Sequence, residues 1–138
     1  AILVYLALQY DASRTWLPSD PLAAAEVQRF LSTAAGQIAS GPAAARLVNV
    51  FGAALDHQRA IAVAHNVLGV LESHLNGRAW LVGNKPTIAD VANYAYIAHA
   101  PEGDVSLDNY PHVRAWLGRI AALPGFVPMQ ATAVGLAA

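Results

Sequence analysis

The chain has 138 residues, enough for one domain with a sizeable core. A net charge of -1 and a pI near 6.6 give no electrostatic footprint for nucleic acid or an anionic membrane. Cysteine is absent, which excludes disulfides and thiolate metal sites, and 56% hydrophobic against 12% charged residues is more apolar than an average soluble domain.

The first stretch, Ala1-Ile2-Leu3-Val4-Tyr5-Leu6-Ala7, is short and apolar, and it fits a strand or the end of a helix. Asp11 to Pro21 is polar and broken by Pro18 and Pro21, with Trp16 and Leu17 to anchor it. Asp20 before Pro21 reads as an N-cap followed by a first-turn proline. A helix is expected from there to Ala39, with Val27, Phe30, Leu31, Ala34 and Ile38 at helical spacing. Gly41-Pro42 marks a break or kink, beyond which Leu47, Val48 and Phe51 continue the apolar face to about Gly52. The next helix spans Asp56 to Leu75, with Ile61, Ala64, Leu68, Leu71 and Leu75 as its stripe, and Asn76-Gly77 suits a left-handed close.

The strongest local signal lies between Asn84 and Ala100. Thr87 followed three residues later by Asp90 is a capping box, and Val91, Ala92, Tyr94, Ala95, Tyr96, Ile97 and Ala98 follow almost without charge. A helix apolar nearly all round belongs inside a bundle. It is expected to end near His99-Ala100-Pro101 and to give way to a polar loop over Glu102 to Asn109. Pro111 starts another helix with Val113, Trp116, Leu117 and Ile120 inward, and Pro124-Gly125 stops it. The tail after Met129 is weakly patterned, a short helix or a mobile arm. The fold class is therefore all-α, a helical bundle of about five helices.

None of the five histidines forms a His-x-x-x-His pair, so no metal is expected, and there is no P-loop and no nucleophile-and-base pattern. No stretch makes a transmembrane helix. The uncharged run Ile120 to Ala138 is interrupted by Pro124, Gly125, Pro128 and Gln130, and Phe30 to Ala45 is too short and too polar. The start lacks the basic region of a signal peptide, and Ala1 in place of Met suggests that the sequence begins partway through a longer protein. A cytoplasmic location fits.

Several of these stretches together resemble the cytosolic glutathione transferase family. The Thr87-x-x-Asp90 box after Leu81-Val82-Gly83-Asn84-Lys85-Pro86 looks like the start of the family's central helix. The run Tyr110-Pro111-His112-Val113-Arg114-Ala115-Trp116-Leu117-Gly118-Arg119-Ile120, then Leu123-Pro124-Gly125-Phe126, is similar to its next helix and its stop. Ala1 to Ala7 is similar to the last helix of the family's thioredoxin-like N-terminal domain. The resemblance thus divides the chain into residues 1–10, the end of that domain; residues 11–20, the interdomain linker; and residues 21–138, the C-terminal helical domain.

That resemblance implies conjugation of glutathione, as co-substrate, to a small hydrophobic electrophile, by a cytoplasmic homodimer engaged in detoxification. The catalytic Ser, Tyr or Cys would lie upstream of Ala1, so no catalytic residue is expected in this chain, and the segment alone is expected to be inactive. Its contribution would be a substrate-binding wall and part of a dimer surface. The wall candidates are Ala35, Ala39 and Ser40 near the kink, Arg46 as an anion contact, and Tyr96 and His99 on the capped helix. Thr87 and Asp90 are read as structural. In the beta class of bacterial transferases a histidine stands where Ala39 aligns, which argues against close beta-class identity. Two other readings stay open: a non-catalytic binding or assembly module of the same fold, and a stand-alone helical ligand-binding domain.

Overall fold

The computed structural model describes residues 1–134, and every regular element among them is helical. Helix α1 covers Ile2–Tyr10, α2 Pro21–Thr33, α3 Ala44–Phe51, α4 His57–Leu75, α5 Ile88–Ala98 and α6 Pro111–Ala121. A π-helical segment, Ala34–Ala43, joins α2 to α3 without interruption, and a 3₁₀ turn, Ala100–Gly103, follows α5. With α2, the π segment and α3 counted as one rod, five rods pack around a core of Phe30, Ile38, Leu68, Leu71, Ile97 and Trp116.

At Gly41-Pro42, where a break or kink is expected, the helix is not interrupted. A proline ring inside an α-helix clashes with the carbonyl four residues earlier and removes one hydrogen bond. Here the backbone widens to π geometry, in which bonds reach five residues back, and Ala44 N–H donates to Ala39 O. The chain therefore runs through Pro42 as one rod. The wider turn also changes which residues of α3 face inward. Leu47 and Phe51 are exposed and Val48 is half-buried, whereas Ala45, Arg46 and Val50 are buried. The expected apolar face of this segment is thus only partly covered, and an arginine stands inside.

Two close backbone approaches fix this rod. A Cβ on Gly41 would lie 2.8 Å from Ala64 N of α4, and a Cβ on Gly103 would lie 2.6 Å from Arg46 N of α3. The polar loop after α5 is tied down at two points: Gly103 of its 3₁₀ turn and Val105 just beyond are buried, while Asp104, Ser106, Asp108 and Asn109 are exposed.

Each helix start has its own device. Asp20 Oδ2 accepts from Ala23 N–H at 2.8 Å, and Asp56 Oδ1 accepts from Arg59 N–H at 2.9 Å. At α6 the residue before Pro111 is Tyr110, which supplies no cap, and Glu72 of α4 reaches across instead. Its two oxygens accept from His112 N–H at 3.0 Å and Val113 N–H at 2.9 Å, and its acidic group suits the positive end of the helix. The α4 end follows the expected pattern, with Gly77 at φ +73°.

At α5 both halves of the capping box are made: Thr87 Oγ1 accepts from Ala89 N–H at 3.2 Å, and Asp90 Oδ2 accepts from Thr87 N–H at 2.8 Å. Asp90 then does more than cap. Its Oδ1 accepts from Leu81 N–H and from Trp116 Nε1–H, both at 2.9 Å, while the residue is 1% exposed. The amide of Ile88 donates to Trp16 O at 2.9 Å, so the polar stretch 11–20 docks on the same helix start. Deeper in α5, Asn93 is fully buried and its Nδ2 donates to Phe30 O and Ala89 O, tying α5 to α2.

Helix α5 is not enclosed on every side, as its composition suggests. Val91, beside α1, and Tyr96 are exposed, at 39% and 42%. Helix α6 ends at Ala121, before the Pro124-Gly125 pair, and Gly125 takes φ +75° in the turn beyond. Residues 127 to 133 form no helix. The rest of the weakly patterned tail, residues 135–138, lies outside the described residues.

Removing the Asp90 carboxylate strands four buried donors, so Asp90→Ala should cost at least about 3 kcal/mol, against about 1 kcal/mol for Thr87→Ala, read from urea unfolding. Glycines of opposite environment give opposite signs. Gly103→Ala should destabilise by about 1–3 kcal/mol through overpacking. Gly69→Ala, in α4 with nothing within 4 Å of the added carbon, should stabilise by up to about 1 kcal/mol. Equal melting shifts for the two glycine variants would contradict the packing argument.

Candidate functional site

The six wall candidates do not converge on one cavity. Ala35, Ala39 and Ser40 share a groove of about 530 Å³ between the π segment and the start of α4, closed on the far side by Leu55, Arg59 and Val63. The small side chains leave that groove open. Ser40 Oγ donates to Gly36 O at 2.9 Å, a bond within its own rod. Tyr96 stands apart on the exposed face of α5.

Arg46 and His99 do meet, and Glu102 is what brings them together. Arg46 Nε donates to Glu102 Oε2 at 2.6 Å, and His99 Nδ1 lies 2.6 Å from Glu102 Oε1. Arg46 is 8% exposed, so its guanidinium is taken up inside the fold and is not a free anion contact. In the sequence Glu102 falls at the start of a polar stretch. Its partner Arg46 is 56 positions away, a distance at which no spacing rule operates. Burial pushes the Glu102 carboxyl up, but the hydrogen bonds from His99 and Arg46 outweigh it and hold the group below the usual carboxylate range.

Two concavities flank α1. A groove of about 1010 Å³ runs between α1, α2, the π segment and α5, with Leu3, Tyr5, Leu8, Leu31, Ala35 and Ala92 among its walls. A smaller one of about 370 Å³ lies on the other side of α1, against Trp16, Ile88 and Val91. Both are lined chiefly by apolar side chains, the character of sites that take hydrophobic molecules or another apolar layer. Ala35 is the wall candidate that borders the larger groove. The signal for the rest was present in the apolar start of the chain, but which side of α1 is covered is a tertiary fact.

Among the described residues that line these grooves, no acid, base and nucleophile come together. Among the described residues no group of three or more potential ligands could hold a metal ion, and no helix is long and apolar enough to cross a membrane.

Comparison with known proteins fits this geometry. The profile of the family described as "Glutathione S-transferase, C-terminal domain" matches residues 52–124, more than half of the chain. Glutathione S-transferase 2 of Anopheles gambiae is 31% identical over 127 residues, covering 91% of this chain and 61% of that protein. A glutathione S-transferase of Xanthobacter autotrophicus superposes with a TM-score of 0.78 at 35% identity, over 91% of this chain and 63% of the other. A glutathione transferase family member from Pseudomonas fluorescens, solved with two glutathione molecules bound, gives 0.75 at 32% identity, over 89% of this chain and 57% of that one. The chain spans between 36% and 61% of the length of the curated relatives it matches. The match across α4 to α6, on a fold shared with solved transferases, makes this chain a member of the glutathione S-transferase family, in its C-terminal helical domain.

Proposed function

We propose that the chain is the helical part of a cytoplasmic, homodimeric glutathione transferase that joins glutathione to small hydrophobic electrophiles in detoxification. The observation that carries this reading, beyond the family itself, is the state of α1. Leu3, Val4 and Ala7 turn to the bundle, but Ile2, Tyr5, Leu6, Leu8 and Tyr10 are 76%, 58%, 45%, 52% and 71% exposed. A nine-residue helix with so much apolar surface in water calls for a further layer.

In this reading residues 1–10 are the last helix of a thioredoxin-like domain, residues 11–20 the link, and residues 21–138 the helical domain. The thiolate of glutathione would be stabilised by a residue of the thioredoxin-like domain, and the helical domain would hold the electrophile beside it. Ala35, Ala39 and Ser40 would give a wall of small side chains, Tyr96 an aromatic surface, and His99 a polar edge. Arg46 would act through Glu102 as a support. The glutathione-bound Pseudomonas fluorescens relative supports glutathione as the co-substrate.

Two measurements test this. The 138-residue chain alone should conjugate glutathione to a chlorodinitrobenzene no faster than buffer, whereas the longer protein carrying the thioredoxin-like domain should do so readily. In that longer protein Tyr96→Ala should raise the KM for a hydrophobic electrophile several-fold, about 1 kcal/mol of lost binding, and leave the KM for glutathione unchanged. Conjugation by the short chain, or an electrophile KM indifferent to Tyr96, would sink the proposal.

A further inference from the structure

We infer that the segment after α6, residues 127–134, is a strap fastened to the bundle by Glu102, and that the Glu102 carboxylate is the latch that holds it shut.

The segment has two pins and little between them. At its start Phe126 packs edge-on against Tyr94, with ring centroids 5.1 Å apart. At its far end Thr132 is bonded twice: its N–H donates to Glu102 Oε1 at 3.2 Å, and its Oγ1 accepts from Arg46 Nη2 at 2.8 Å. Between the pins the chain has no helix, Val127 is 84% exposed, and only Met129 is partly covered. A segment with so few apolar contacts is held by its polar pins.

The second pin is shared with the fold. Glu102 Oε1 accepts both from Thr132 N–H and from the His99 side chain, while Oε2 accepts from Arg46. The Glu102 backbone is itself held, its carbonyl accepting from Asn49 Nδ2 at 2.9 Å. The turn therefore stays seated on α3 whether or not the carboxylate is charged. Loss of the charge weakens the Thr132 contacts in particular, because it removes an acceptor from one oxygen and the partner that orients Arg46. Opening the strap uncovers the Arg46–His99 corner to solvent.

The charged and titratable groups around the latch are few. Arg46 comes from α3, His99 from the end of α5, and His57 from α4, its Nε2 3.1 Å from Gly103 O; Asp104 follows the turn and is exposed, and the strap itself brings none. Burial raises the Glu102 group and its bonds to His99 and Arg46 lower it by more, to below its ordinary 4.5. A carboxylate depressed in this way gives its full contribution above 4.5 and loses it as the pH falls through the lower folded value. The strap should therefore stay closed at neutral pH and open only in acid.

Hydrogen exchange by mass spectrometry on the longer protein tests this, with Glu102→Gln and Thr132→Val beside the parent. At about pH 7 the Thr132 amide, which is bonded to Glu102, should exchange at least about tenfold faster in E102Q and several-fold faster in T132V, with α4 and α6 unchanged. Unchanged strap exchange in both variants overturns the inference. If E102Q loses protection throughout, T132V decides, since its side chain lies outside the core: a rise confined to the strap supports the latch, and no rise overturns it. Corrected for intrinsic exchange, opening of the parent strap below 4.5 supports Glu102 as the latch. Opening already close to neutral pH would overturn the role given to Glu102.

Discussion

The Asp90 carboxylate accepts four hydrogen bonds in a site 1% exposed, and three parts of the molecule converge on it. Thr87 contributes its amide and hydroxyl from the helix start, Leu81 its amide from the loop before, and Trp116 its indole N–H from α6. Each partner is a donor, which is what an acceptor-only group can satisfy. The arrangement sets the direction of α5, the path of the loop into it and the depth of the largest buried side chain at once. With Ile88 bonded to Trp16 O as well, the polar stretch before α2 is fixed to the same point. Everything that lies against α5, including both grooves beside α1, is positioned from there.

A second constraint acts at the other end of α5. The π segment carries the long rod through Pro42, and the rotation of α3 that results puts Arg46 inside. A buried guanidinium demands an acidic partner, and the 3₁₀ turn supplies Glu102. That turn can come so near only because Gly103 has no side chain to meet the Arg46 backbone. Backbone geometry, a buried cation and a missing Cβ are thus one packing solution. His99 and Thr132 attach to the carboxylate that this solution brings in.

The apolar surface of α1 and of the open side of α5 faces the opposite requirement. Both carry exposed apolar side chains, and α1 and Val91 of α5 border the grooves beside α1. The small residues Ala35, Ala39 and Ser40 lie on the same rod as Arg46 but serve a different surface. One helix thus presents a groove wall at its π segment and an ion pair at its α3 end.

Much of the architecture follows from short-range signals in the sequence. The Asp20-Pro21 start, the Thr87/Asp90 box, the α4 stripe and the left-handed Gly77 each depend on residues within one or two turns, and there the energies of caps and faces are local. Family membership was legible for the same reason, because each stretch that carries the resemblance, at the starts of α5 and α6 and in the loops beside them, is short and continuous in the sequence. What the tertiary structure decided are the points where two distant segments compete for one space. Pro42 could end a helix or widen it, and the fit of Gly41 against Ala64 is consistent with widening. Glu102 and Arg46 are ordinary surface residue types whose partnership spans 56 positions, and Thr132 lies 86 from Arg46. No periodicity links such residues; burial joins them, since charges taken out of water must find each other.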